Sequence, residues 1–134
     1  MELSFPHAYA MRGCTQEDAP ALEIYLTQAP LVEGHDPPPP YIRFEISSRG
    51  SETLPASSFE LRPLRRDLTK KGRIVRGEWS QPGEVPVWLS GKLTIDGVTP
   101  GQQVSGQYVL KLPDGRHLQN SFVAGFVART ATCG

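Results

Sequence analysis

The sequence predicts an all-β protein, built as an antiparallel β-sandwich or a partly open barrel of about seven to nine short strands. Short apolar runs alternate with polar residues at a period of two, which is the pattern of strands with one buried face. Glycine and proline, 13 of each, lie between these runs, where they favour turns. No long stretch carries the 3.6-residue apolar period of a helix.

The chain of 134 residues fits one domain, residues 1–134, that begins with an irregular segment over residues 1–20. Lys plus Arg and Asp plus Glu both number 14, so global charge gives no argument for binding nucleic acid. No apolar run approaches the ~20 residues that span a bilayer. Residues 1–13 lack the apolar stretch of a signal peptide, which fits either a mature exported chain or a cytoplasmic one.

The first half of the chain predicts strands at residues 21–27, 41–47 and 58–62. The four prolines of residues 37–40 predict a stiff loop between the first two, with a proline-rich docking peptide as the functional alternative. Charged residues such as Arg43 and Glu45 alternate with the apolar ones, so they are expected on the opposite face of their strand.

The second half predicts a strand at 73–79, one long or two short strands over 85–98, and strands at 104–112 and 118–129. A type II turn is expected at 99–102, and a type I turn with a left-handed Gly115 at 112–115. The last three strands should therefore form an antiparallel meander. The alternation assigns to one continuous core Ile42, Phe44, Ile46, Leu93, Ile95, Tyr108, Leu110 and Phe122.

The two cysteines, Cys14 and Cys133, lie near opposite ends of the chain. They form no CxxC motif and have no histidine near them in sequence, which argues against a metal or redox pair. We predict a disulfide that ties the termini together, with two unlinked buried thiols as the alternative. A disulfide would place the protein in an oxidising compartment.

The C-terminal third resembles small exported bacterial β-sandwich proteins and lipoproteins of unknown function. The resemblance is carried by Gly91-Lys92-Leu93-Thr94-Ile95, Val104-Ser105-Gly106-Gln107-Tyr108, Pro113-Asp114-Gly115 and Ser121-Phe122. It covers about 45 of the 134 residues. It implies a β domain of the cell envelope and carries over no catalytic residue. The chain departs from the lipoprotein form because no apolar signal precedes Cys14.

The strongest local charge pattern is a basic segment between residues 62 and 76, with Asp67 as its only acid. Such a pattern predicts an anion-binding surface, for an anionic polysaccharide or protein. The alternative is a solvated face balanced by Glu60, Glu78 and Glu84. The candidate anion-binding residues are Arg62, Arg65, Arg66, Lys70, Lys71, Arg73 and Arg76.

Two tryptophans, Trp79 and Trp88, flank the Pro82-Gly83 turn and are candidates for lining a ligand groove, although tryptophans more often fill a core. His7, His35 and His117 are expected in or beside loops, without a second type of ligand at the spacing of a metal site. The sequence contains no GxSxG, P-loop or GxGxxG motif, and we predict no catalytic residue, metal or cofactor.

These observations predict a non-enzymatic binding or structural domain that is secreted or belongs to the cell envelope. A lipocalin-like binder of small ligands is the first alternative, because a barrel could enclose a cavity lined by aromatic side chains. A small hydrolase is the second, since catalytic groups assemble in space and not in sequence.

Overall fold

The fold is described from a computed structural model, over residues 4–14, 20–32, 35–47, 56–63, 75–99 and 102–127. These residues form nine strands and no helix. In chain order the strands are β1 (His7–Cys14), β2 (Pro20–Thr27), β3 (Tyr41–Ser47), β4 (Ser57–Leu61), β5 (Val75–Ser80), β6 (Val87–Trp88), β7 (Ser90–Thr99), β8 (Gln103–Lys111) and β9 (His117–Phe126). Within the ranges given, no helix could cross a membrane.

All nine strands belong to one sheet, in the order β4-β7-β8-β9-β1-β2-β3-β5-β6. Neighbouring strands are antiparallel except β1 and β9, which run parallel and pair Tyr9 with Gly125. The sheet curls into a half-barrel, which brings Leu61 of β4 against Gly77 of β5. The all-β class and the number of strands are confirmed, whereas two separate sheets of a sandwich are not found in the described chain.

The concave face of the sheet carries the hydrophobic core. All eight residues that the alternation assigned to the core are buried in it. Phe44, Tyr108 and Phe122 lie with ring centroids 5.9–6.4 Å apart, so aromatic contacts join β3 to β8 and β9. Burial of this apolar surface is the main favourable contribution to folding.

The C-terminal meander of β7, β8 and β9 is confirmed, and so is the turn between the last two strands. The amide of Gly115 donates to the carbonyl of Leu112 over 2.9 Å, and Gly115 has a φ of 91°. Glycine adopts this left-handed conformation without the steric cost that a Cβ atom brings. The turn predicted at 99–102 falls partly outside the described residues.

The prediction of an irregular segment over residues 1–20 is wrong, because His7–Cys14 forms β1 near the middle of the sheet. This strand is hard to recognise, since both Ala10 and its neighbour Met11 are buried. Its two faces are therefore covered alike, and the alternation that marks a half-exposed strand is missing. The possible single strand over 85–98 is divided at Leu89, whose amide donates to Gly77 over 2.7 Å.

Candidate functional site

The outer, convex face of β2, β3 and β5 carries a network of five charged side chains, which we call the ion network. Strand alternation places these side chains opposite the core, and the register aligns them in neighbouring rows. Arg43 lies beside Glu78 of β5, and Glu45 lies beside both Glu23 and Arg76. The members of the ion network are Glu23, Arg43, Glu45, Arg76 and Glu78.

Arg43 is the centre of the ion network. Its Nε donates to Glu23 Oε1 over 2.8 Å, and its Nη2 also contacts that oxygen. The same Nη2 lies 3.3 Å from Glu45 Oε1 and 3.3 Å from the carbonyl oxygen of Cys14, while Nη1 lies 3.6 Å from Glu78 Oε2. Burial alone would lower the pKa of Arg43, but the charge and hydrogen bonds of Glu23 outweigh it and raise that pKa above its ordinary value.

Arg76 forms the second centre, on β5. Its Nε donates to Glu45 Oε2 over 2.9 Å, its Nη2 lies 2.8 Å from the same oxygen, and its guanidinium stacks 4.8 Å from the ring centre of Trp88. Only 5% of the Arg76 side chain and none of the Glu45 side chain is exposed. Charges as buried as these are stabilised by their partners, because an unpaired charge at such a site would lower the free energy of unfolding by several kcal/mol.

A glycine allows β1 to approach the ion network closely. Gly13 pairs with Ala21 on the outer face, and a Cβ atom at this position would overlap the Glu23 side chain. The absence of a side chain thus leaves room for the carboxylate that holds Arg43. The carbonyl of the next residue, Cys14, then accepts a hydrogen bond from Arg43.

Tyrosines border the ion network at the end nearest the loop over residues 28–40. Tyr25 and Tyr41 lie with ring centroids 5.4 Å apart, and the hydroxyl of Tyr9 accepts a hydrogen bond from the amide of Leu31 over 3.0 Å. Burial raises the pKa of Tyr41, which its hydrogen bond with Ser80 partly offsets. At this border the loop between β2 and β3 contacts the outer face through Leu31.

The structure removes Arg76 from the predicted anion-binding surface, because its guanidinium is buried against Glu45 and Trp88. Arg62 is exposed, and its Nη2 lies 3.4 Å from Glu60 Oε2. The other five candidates, Arg65, Arg66, Lys70, Lys71 and Arg73, lie outside the described residues. For these and Arg62, anion binding stays a prediction.

The two tryptophans do not line a common groove. Trp79 pairs with Val87 and Glu78 pairs with Trp88, so the two indole rings lie on opposite faces of the sheet. Trp79 is buried in the core, in edge-to-face contact with Phe5 at 6.0 Å. Trp88 is half-buried on the outer face beside the ion network.

The three histidines lie apart in the fold. His7 begins β1, within the segment that was predicted to be irregular, and stacks on Tyr9 at 6.3 Å. His35 is exposed in the loop after β2, and His117 is exposed at the start of β9. Over the described part of the chain, no group of three or more His, Cys, Asp or Glu side chains is arranged to hold a metal.

Cys14 is the last residue of β1, whereas Cys133 lies outside the described residues. The parallel pairing of β1 with β9 directs the carboxyl ends of both strands toward the same end of the sheet. A Cys14–Cys133 disulfide is compatible with this arrangement and stays a prediction.

The sequence analysis missed the ion network, because it placed Arg43 and Glu45 only on the face opposite the apolar residues and treated Glu78 as part of a solvated face. A signal for it exists in the alternation of charge sign along β3 and β5, but the register that aligns the strands is needed to use that signal. No protein-family model, curated protein or solved structure matches the chain.

Proposed function

We propose that the protein is a non-enzymatic β domain, secreted or in the cell envelope, that binds an anionic polysaccharide through basic segment 62–73. This segment contains six cations, Arg62, Arg65, Arg66, Lys70, Lys71 and Arg73, and one acid, Asp67. Charge of one sign at this density attracts an anionic polymer over roughly 8–10 Å at ordinary salt concentrations.

The observation that carries the proposal is the commitment of nearby acidic side chains to other partners. Glu78, which could have balanced the segment, lies 3.6 Å from Arg43 in the ion network. Glu45 on β3 contacts both Arg43 and Arg76. Glu78 is the acidic residue of β5, the strand that follows the basic segment, and its carboxylate is already in contact with Arg43.

The two remaining acids of the alternative explanation also contribute little. Glu60 contacts Arg62, but both side chains are mostly exposed, and such surface pairs are worth about 0–1 kcal/mol. Glu84 lies in the turn after Ser80, at the far end of β5 from the basic segment.

The interior of the half-barrel favours a scaffold over a lipocalin-like binder. Phe44, Tyr108 and Phe122, which a barrel-type binder would use to line a cavity, pack against one another in the core. The ionisable side chains of the ion network likewise pair with one another. These contacts support a role in which the sheet is a rigid frame and the ligand binds outside it.

Heparin affinity chromatography tests the proposal. The wild-type protein should be retained at low salt and eluted by added sodium chloride, because counter-ions screen the contacts. The double variant R65S/R66S should elute at clearly lower salt, and R65S/R66S/K70S/K71S should not be retained.

The matched control is K92S/K111S, which removes the same charge as R65S/R66S from exposed positions on β7 and β8. It should elute close to the wild-type protein. Equal losses in both double variants would mean that only net charge matters and would refute a dedicated surface. Retention on polyglutamate but not on heparin would identify an acidic protein as the better partner class.

A further inference from the structure

Glu78 is the least firmly held carboxylate of the ion network. Among the described residues, its ion pair is the 3.6 Å contact with Arg43, whereas Glu23 and Glu45 accept hydrogen bonds of 2.8 and 2.9 Å from Arg43 and Arg76. The Glu78 side chain is 16% exposed, compared with 7% for Glu23 and 0% for Glu45. It is therefore the member of the network that a proton from solvent reaches most easily.

The groups that face Glu78 come from β2, β3 and β6. On β3 these are Arg43, Glu45 and Tyr41. Glu23 of β2 adds a second negative charge, and Trp88 of β6 is the cross-strand neighbour. None of these groups is a histidine. Neutralisation of Glu78 would remove the repulsion between its charge and the charges of Glu23 and Glu45.

The position of the edge strand β6 depends on its contacts with Glu78 and Arg76 of the ion network. The strand has only two residues, Val87 and Trp88, and its neighbour among the described strands is β5. Trp88 is held by its pairing with Glu78 and by the Arg76 guanidinium stacked on its ring. Arg76 is in turn held by Glu45, which also contacts Arg43.

We propose that Glu78 is a proton-responsive residue that couples the ion network to the edge strand β6. When Glu78 takes up a proton, Arg43 loses one of its three carboxylate partners and is left with Glu23 and Glu45. The charge beside Trp88 changes at the same step, and so does the balance of contacts that holds Arg76 against its ring.

The direction of the Glu78 titration agrees with this geometry. Burial raises the pKa of Glu78 above that of an ordinary glutamate, the charges of Glu45 and Glu23 raise it further, and Arg43 opposes the change. The proton is therefore taken up at a milder acidity than an exposed glutamate requires.

Fluorine NMR of the whole protein, labelled with 5-fluorotryptophan, tests the proposal. The chain has two tryptophans, Trp79 in the core and Trp88 on the outer face, and the variant W88F assigns their two signals. The Trp88 signal should shift in a single step as the pH falls from about 8 to about 4, with its midpoint above the usual glutamate value of about 4.3. The Trp79 signal should stay nearly constant.

Two variants separate Glu78 from other titrating groups. E78Q keeps the size of the side chain and should abolish the step in the Trp88 signal. H7Q removes a histidine that lies on the same outer face, two strands from Tyr41 and three from Ser80, and should leave the step unchanged. A Trp88 signal that does not shift, or a shift that persists in E78Q, would overturn the proposal.

Discussion

The two halves of the sheet share one core but differ in how far the side chains of their outer faces are buried. On β2, β3 and β5 the outward side chains include Glu23, Glu45 and Arg76, which are 6%, 0% and 5% exposed. On β8 and β9 the outward side chains are solvent-exposed, and Val109 and Val123 are 44% and 61% exposed. The charged face is thus the buried one, and the exposed face includes large apolar side chains.

This difference shows what an alternating sequence pattern indicates about the two faces of a strand. Alternation indicates that the two faces of a strand differ, because successive side chains point in opposite directions. It does not indicate what covers the polar face. Burial of the polar face requires ion pairs with good geometry, since a buried charge without a partner costs several kcal/mol. We therefore expect substitutions at buried outer positions of β2, β3 and β5 to cost more stability than substitutions at exposed outer positions of the other half.

The largest effect is expected where both halves meet in the core. Phe44 on β3 packs on Tyr108 and Phe122 of β8 and β9, so Phe44→Ala leaves a cavity between the halves. We expect a loss of about 3–5 kcal/mol in the free energy of unfolding, measured by chemical denaturation. The control, Val123→Thr on the exposed face, should change it by less than about 0.5 kcal/mol. Similar values for both variants would show that the core is misassigned.

Removing Arg43 tests the ion network directly. Arg43→Ala leaves Glu23 and Glu45 as buried carboxylates that have lost a partner. Such a change costs about 3–5 kcal/mol, and we expect the lower end because 11% of the Arg43 side chain is exposed. Lys92→Ala, which removes a cation from the exposed outer face of β7, should cost less than about 0.5 kcal/mol. Thermal denaturation of both variants in one buffer makes the comparison, and equal losses would contradict the contrast between the halves.

The sequence predicted those parts of the fold that depend on local chemistry. Residues 41–47 alternate clearly, and the structure has β3 at the same bounds, Tyr41–Ser47. The 112–115 turn followed from Asp114-Gly115, because glycine tolerates the left-handed conformation that this turn requires. Both predictions need only the properties of neighbouring residues.

The parts that the sequence did not predict depend on contacts between distant residues. The parallel pairing of β1 with β9 joins residues more than 100 positions apart and closes the two halves into one sheet. A sandwich and a curled sheet have the same alternation along each strand, so alternation could not choose between them. Likewise, Arg76 could be removed from the basic surface only when the register placed it beside Glu45.

The junction between the two halves gives the next prediction. If Cys14 and Cys133 are bonded, the bond secures β1 to the segment that follows β9, where the halves join. Reduction should then lower the free energy of unfolding by about 2–4 kcal/mol. Thiol titration of the denatured, unreduced protein should detect no free thiol. Two free thiols would refute the disulfide and remove the support it gives to an oxidising compartment.

The smallest effect concerns Glu78, at the border between the buried network and solvent. Because burial raises its pKa, the folded protein binds the Glu78 proton more tightly than the unfolded chain does. The contribution of Glu78 to stability is therefore fully present below the unfolded pKa of about 4.3 and is lost as the pH rises through the folded pKa. Glu78→Gln, which remains neutral, should be more stable than the wild-type protein near pH 7, on the order of 0.5 kcal/mol.

The pH dependence distinguishes this effect from a simple change in packing. The advantage of Glu78→Gln should shrink as the pH falls to about 4, because the wild-type carboxyl then takes up its proton. Glu60→Gln, at a β4 side chain that is 72% exposed, is the surface control and should change the melting temperature little. A Glu78→Gln variant that is less stable than the wild-type protein near pH 7 would mean that the 3.6 Å contact with Arg43 outweighs burial. Glu78 would then belong with the firmly paired carboxylates, and the boundary of the network would lie beyond it, at Trp88.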